Sequence, residues 1–248
     1  MSGNKVLSGK KALVTGGSRG IGSAIAKRLA ADGADIAITY AGNKAAAAAT
    51  VAIIEQAGGK AVAIQADAGD DASQRAGIEA AVQALGGLDI LVHNAGVAEF
   101  AGVGEDTDEA FAHQFGVNVR GLHVGTRAAL QHLPDGGRVI LIGSVAGERA
   151  PFAGMSTYGA TKAAVAGLGR GWAKDLAPRN ILVNVIQPGP IDTDLAPTGE
   201  AADAFRQIVP LGRFGSVEEI AGVAAFLAGP DASYITGATL NVDGGTAI

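Results

Sequence analysis

The chain of 248 residues contains no cysteine. That excludes a disulfide, a thiolate nucleophile and a cysteine-ligated zinc site, and it matches a reducing compartment. Aromatic residues are scarce, at 4 % of the sequence, so the core has to be assembled from Ala, Val, Ile and Leu. There is no basic cluster and the net charge is −5, which argues against a nucleic-acid partner. No apolar stretch approaches the ~18 residues of a membrane span, and the opening residues lack a secretory-type apolar region. The four histidines and the carboxylates show no metal-ligand spacing, so no metal is expected. These absences point to a cytoplasmic globular protein. What the sequence does have in abundance is glycine, 38 residues of it, in a chain that is 48 % apolar.

Short apolar runs alternate with longer amphipathic stretches. Strands are expected at 12–15, 35–40, 60–66, 88–93, 138–143, 181–186 and 239–242. Helices are expected at 20–32, 44–57, 71–85, 157–176 and 217–227, with a further pair over 107–133 meeting near Gly116. Continuous apolar runs mark strands buried on both faces, and their alternation with long helices marks βαβ units. The expected fold class is α/β. A single Rossmann-type, doubly wound parallel sheet of about seven strands carries helices on both faces, with 1–248 forming one domain. The stretch 188–215 has little periodicity, and a substrate lid is expected at about 190–215. In such a sheet the ligand lies beyond the carboxyl ends of the strands, so the residues after each strand are the ones to inspect.

After the first strand, residues 15–22 read Thr-Gly-Gly-Ser-Arg-Gly-Ile-Gly. Gly16, Gly20 and Gly22, with Ser18 and Ile21 between them, permit a tight turn and close approach of the backbone to a pyrophosphate. Free N–H groups and the helix dipole favour that anion. The spacing Gly-x-x-x-Gly-x-Gly, placed between a strand and a helix, resembles the short-chain dehydrogenase/reductase family. The resemblance covers nearly the whole chain.

Sites for NAD usually place a carboxylate after the second strand, to hold the ribose 2′-OH. Here Tyr40, Ala41, Gly42, Asn43 and Lys44 stand there, which permits a 2′-phosphate. Arg19 sits where related NADP-dependent reductases carry a basic residue. With Asn43 and Lys44 it could hold the phosphate by charge-assisted hydrogen bonds, so NADP(H) is the expected cofactor. The resemblance also implies that Asp67, beside Ala68, meets the adenine amino group. It puts Asn94, Ala95 and Gly96 against the adenosine ribose, and Pro188, Gly189, Ile191 and Thr193 at the nicotinamide end. His93 departs from the family's usual asparagine and reads as a strand-end residue in a satisfied polar setting.

Tyr158 and Lys162 are four residues apart on an expected helix and share a face. Ser144 ends the preceding strand, and Asn118 falls where the long helical region breaks. In identity and order the four match the family's Asn, Ser, Tyr and Lys. Hydride added to a carbonyl carbon creates an alkoxide that must be protonated. A free phenol, with a pKa of about 10, is a poor proton exchanger at neutrality, and a nearby ammonium should lower that value. Tyr158 is then the expected acid in reduction, and Lys162 supplies the charge and reaches the nicotinamide ribose. Ser144 donates to the substrate oxygen. The resemblance implies that Asn118 holds a water relaying protons to Lys162.

The expected activity is NADPH-dependent reduction of a small ketone to its secondary alcohol, with Ala146, Phe152, Met155 and Pro190 lining the substrate side. A 3-oxoacyl-[acyl-carrier-protein] reductase remains open. Residues 131–137 lack the basic pair that would dock an acidic carrier, although Arg179 stands where such reductases often have arginine. A sugar or polyol dehydrogenase and a non-catalytic dinucleotide sensor also stay open. By analogy with relatives, the expected assembly is a homotetramer.

Overall fold

The structure, a computed structural model, describes residues 5–194 and 196–248. Seven strands form one sheet: β1 Lys11–Val14, β2 Asp35–Tyr40, β3 Ala61–Gln65, β4 Ile90–His93, β5 Arg138–Ile142, β6 Leu182–Pro188 and β7 Thr239–Val242. Every pairing is parallel, in the order β3-β2-β1-β4-β5-β6-β7. The chain winds outward from β1 to β3, then returns to place β4 on the other side of β1. The order therefore reverses between β1 and β4, and that is where a crevice opens at the strands' carboxyl ends.

The helices follow from local chemistry. They are α1 Gly20–Ala31, α2 Lys44–Gln56, α3 Asp71–Leu85, α4 Asp108–Phe115, α5 Leu122–Ala129, α6 Ser156–Leu176, α7 Gly199–Ile208 and α8 Val217–Ala228. Side chains of Asn43, Asp70 and Thr107 accept from backbone N–H groups at the starts of α2, α3 and α4. Ser216 and Glu219 form a reciprocal capping box on α8. One core lies on each side of the sheet. Ile25 and Leu29 of α1 and Ile220 and Leu227 of α8 cover Val14, Ile38, Val92 and Ile140 on one side. Ile78 of α3, Leu122 of α5 and Val165 of α6 cover Leu13, Leu91, Leu141 and Val183 on the other. Strands β4 and β6 are buried at every position, which explains why apolar residues fall on both faces of each. Among the described residues, no helix is long and apolar enough to cross a membrane.

Two expectations need correction. The helical region after Thr107 does not break at Gly116. A π-helical turn, Gly116–Gly121, joins α4 to α5, and the helical path closes at Ala129 rather than at Leu133. A π turn admits an extra residue without ending the helix, so its sequence looks like an interruption. The stretch 188–215 is also not irregular throughout, because α7 lies inside it. That helix buries only Ala202 among the described residues and carries Glu200, Asp203 and Arg206, which leaves its apolar face too thin to read.

Candidate active site

The glycine turn sits at the carboxyl end of β1, beside the reversal in strand order. The Gly17 N–H donates to the Thr39 carbonyl at 2.9 Å, tying the turn to β2. Gly16 and Gly20 have φ of 63° and 53°, which few side chains tolerate. A Cβ on Gly16 would lie 2.8 Å from the Ala95 Cα, and one on Gly22 would lie 2.4 Å from both the Asn94 Nδ2 and the Gly16 oxygen. The backbone layers 15–22 and 94–96 are thus in contact. Arg19 precedes α1 and gives its N-terminus no side-chain cap, so the first N–H groups of α1 face the crevice mouth uncapped. This narrow, uncapped cradle fits the pyrophosphate of a dinucleotide. Ser18 packs behind it, its carbonyl accepting from the Thr50 hydroxyl at 3.0 Å, and Ile21 packs against the core.

The other expected cofactor residues surround this cradle, several of them with their side chains already engaged. Asn94 directs its amide hydrogens to the carbonyls of Thr15 and Gly16, at 3.1 and 2.9 Å, so that amide braces the turn. Asn43 caps α2, accepting from the Ala46 N–H at 3.0 Å. Tyr40 is buried at the end of β2, while Lys44 is exposed. Arg19 is also exposed, with its guanidinium 4.0 Å from Asp194. The exposed Asp67 accepts from the Gly69 N–H at 2.8 Å. The carbonyl of Ala68 would meet a Cβ on Gly121 at 2.0 Å, so the segment after β3 rests on the π turn. Pro188 ends β6, and Gly189 comes so close to β7 that a Cβ on it would lie 2.6 Å from the Asp243 Cα. The chain then returns over the glycine turn. Ile191 bridges Gly215, and a Cβ on Gly20 would lie 3.7 Å from Thr193.

The four residues expected to handle protons converge from three elements. Ser144 follows β5 and faces the Tyr158 phenol on α6, close enough to favour its ionised form; its hydroxyl accepts from the Ala146 N–H at 3.1 Å. One turn along α6, Lys162 is buried, donates to the Ile142 carbonyl at 3.0 Å, and lies 5.7 Å from the centre of the Tyr158 ring. A Cβ on Gly96 would sit 3.5 Å from the Lys162 Nζ and 3.2 Å from the Asn118 Oδ1, so Gly96 lets all three segments meet. The Asn118 side chain is fully engaged. Its Oδ1 accepts from the Val97 N–H, and its amide hydrogens go to the Val97 carbonyl and the Thr161 hydroxyl, at 2.8, 2.8 and 3.1 Å. With both amide hydrogens held by protein acceptors, it clamps the segment after β4 to α6.

The electrostatics correct one expectation. Burial pushes the Tyr158 phenol above its ordinary value, and the Ser144 side chain facing it only partly offsets this. Burial also brings the Lys162 ammonium down to about 8. In the protein alone, desolvation of the phenolate therefore outweighs the nearby ammonium. His93 is buried as expected, and burial lowers it to about 3. Its Nε2 meets the Thr126 hydroxyl at 2.9 Å, and that hydroxyl donates onward to the Leu122 carbonyl. The imidazole is neutral and donates to Thr126.

The family model described as enoyl-(acyl carrier protein) reductase matches residues 16–247. An uncharacterized oxidoreductase of Methylorubrum extorquens is 46 % identical over 244 residues, 96 % of this chain and 98 % of that one. A short-chain dehydrogenase/reductase from Serratia marcescens is 49 % identical over 98 % of this chain and 100 % of its own, with a TM-score of 0.96. The chain belongs to the short-chain dehydrogenase/reductase family of oxidoreductases. The chain is also similar to a blue fluorescent protein from a metagenomic library solved in complex with NADPH, 50 % identical over 98 % of this chain and 100 % of its own, with a TM-score of 0.95.

Of the residues of this short-chain dehydrogenase/reductase expected to line a substrate, Ala146 and Met155 are buried and Phe152 and Pro190 are partly exposed. Three further rings, which the sequence reading missed, lie near them. Phe100 lies edge-on to Tyr158 with ring centres 5.6 Å apart. Phe205 of α7 packs on Phe152 at 4.6 Å and neighbours Phe214 at 6.3 Å. The available signal was compositional, since only seven phenylalanines exist in the chain and four of them stand here.

Proposed function

We propose that this protein is an NADPH-dependent ketone reductase in which Tyr158 is the proton donor. The observation that carries the reading is the buried Lys162 ammonium 5.7 Å from the Tyr158 ring, with Ser144 facing the phenol, at the open end of the glycine cradle. Bound NADPH supplies a hydride to the carbonyl carbon. Tyr158 gives its proton to the developing alkoxide, and Ser144 donates a hydrogen bond to the same oxygen. Lys162 stabilises the phenolate left behind. A phenol raised by burial holds its proton throughout the neutral range, which suits reduction more than oxidation.

Preference for NADPH is supported by the lack of a carboxylate after β2, by the exposed Arg19, and by the NADPH-bound relative. A free ketone is favoured over a carrier-bound thioester by the engagement of Arg179. Its guanidinium is held by Asp135 and by the carbonyls of Leu130 and Leu133, so it is not presented to an acidic carrier. An apolar, phenylalanine-lined cleft also disfavours a polyol. The segment containing α7 serves as the lid, because Phe205 reaches Phe152 across the cleft.

The test is Tyr158→Phe, assayed by NADPH consumption with simple ketones. The expected loss in kcat is between about a hundred- and ten-thousandfold, with NADPH binding retained as judged by the fluorescence of the bound cofactor. A variant with near-normal kcat would overturn the assignment.

A further inference from the structure

We infer that the physiological substrate is an aryl ketone, its aromatic ring seated among Phe100, Phe152 and Phe205. This rests on the reductase reading above and names the substrate class of that site. A chain so poor in aromatics sets Phe100 against Tyr158 and packs Phe152, Phe205 and Phe214 together on segments next to it. Phe100 is 58 % exposed although its ring touches the side chain that delivers the proton. An exposed ring at such a place marks a binding surface rather than a core position.

The segments carrying these rings are fastened to one another. The Ala101 N–H donates to the Gly154 carbonyl at 3.1 Å, stitching the Phe100 loop to the Phe152 segment. The Thr157 hydroxyl donates to Asp106, pinning the same loop to the start of α6, beside Tyr158. The rings already display the geometry that aromatic partners prefer. Phe100 meets Tyr158 at 75° and Phe152 meets Phe205 at 55°, tilted so that edges address faces. A saturated ring would fill the same apolar space but lacks the quadrupole that makes these contacts selective. The cleft therefore discriminates aromatic from merely apolar substrates, and each good pair is good for about two- to tenfold.

The experiment compares acetophenone with cyclohexyl methyl ketone, which share a carbon skeleton, in the wild type and in Phe100→Leu and Phe152→Leu. The ratio of kcat/KM for the two ketones is taken in each protein and then compared between proteins, so that their different intrinsic reactivities cancel. NADPH binding, followed by cofactor fluorescence, reports that each variant is folded. The expected result is a fall in the acetophenone-to-cyclohexyl ratio of about three- to tenfold in Phe100→Leu, with a fall in the same direction in Phe152→Leu. Ratios that stay within about twofold of the wild type in both variants overturn the inference, since the rings then only fasten the lid. A wild type that reduces cyclohexyl methyl ketone but not acetophenone also overturns it and leaves the reductase reading standing. A wild type that binds NADPH and reduces neither ketone overturns both.

Discussion

The same burial that raises the Tyr158 phenol lowers the Lys162 ammonium, whose nitrogen lies 5.7 Å from the Tyr158 ring centre, so the two groups converge in acidity. Reduction needs the phenol protonated and the ammonium charged. The first condition holds across the neutral range, and the second fails as pH rises through about 8. Ketone reduction should thus be level up to neutrality and decline through about pH 8, while alcohol oxidation, which needs the phenolate, should climb. Profiles of kcat/KM against pH in both directions check this. A reductive rate that increases from neutral to mildly alkaline pH would contradict it.

Stability should carry the opposite signature at Lys162. Its folded value of about 8 is below the ordinary 10.5. Between those values the unfolded chain holds a proton that the folded chain has released, so this group makes stability rise with pH there. Below about 8 both states are protonated, and the folded state bears the full desolvation penalty. Lys162→Met removes that penalty and also the hydrogen bond to Ile142. The variant should be more stable than the wild type by about 2 kcal/mol at neutral pH, and the gap should close toward alkaline pH. Its kcat should fall by at least about a hundredfold. Urea unfolding at two pH values measures the first effect. A gap that stays constant with pH would show that burial of the ammonium is not its cause.

The sheet and the glycine turn were readable because their determinants are local. An unbroken apolar run such as Val139 to Ile142 admits few readings, and Gly16 to Gly22 carry their backbone requirements in their identity. Tyr158 and Lys162 were readable through helical spacing. Other features depend on partners distant in sequence. That Asn118 clamps Val97 to Thr161 cannot be seen from residue 118 alone. Asn43, expected beside the phosphate, is also a helix cap through its Oδ1, a second role that spacing alone does not reveal. The direction of the Tyr158 shift hinged on how deeply α6 is covered, a tertiary quantity. Helix α7 escaped because Pro197 and Gly199 frame a segment with a single buried side chain among the described residues.

The clamp makes its own prediction. Asn118→Ala removes three hydrogen bonds and leaves the Val97 N–H and carbonyl without their partners. Each orphaned polar group costs about 1–3 kcal/mol, so a destabilisation of about 2–5 kcal/mol is expected. Thr161→Ala removes one acceptor from the network and the hydroxyl's own bond to the Tyr158 carbonyl, and should cost about 1–2 kcal/mol, less than Asn118→Ala. Denaturant unfolding of both variants tests the order. If Asn118→Ala unfolds within about 1 kcal/mol of the wild type, the side chain is not a clamp.

Arg19 and Asp194 face each other at 4.0 Å, with side chains 55 % and 74 % exposed. A pair so open contributes little to stability, but it sets up competition for the arginine. A 2′-phosphate carries more charge than a carboxylate and can accept a bidentate guanidinium. Arg19→Ala should raise KM for NADPH about ten- to a hundredfold and leave KM for NADH within about twofold. Asp194→Asn removes the internal competitor and should move KM for NADPH the other way, about two- to threefold lower, again with little change for NADH. Added salt should weaken NADPH binding in the wild type more than in Arg19→Ala, because screening acts on a charge that the variant lacks. Steady-state kinetics with both cofactors at two ionic strengths separates these effects. Equal losses for NADPH and NADH in Arg19→Ala would mean that the residue supports the glycine turn and does not read the phosphate.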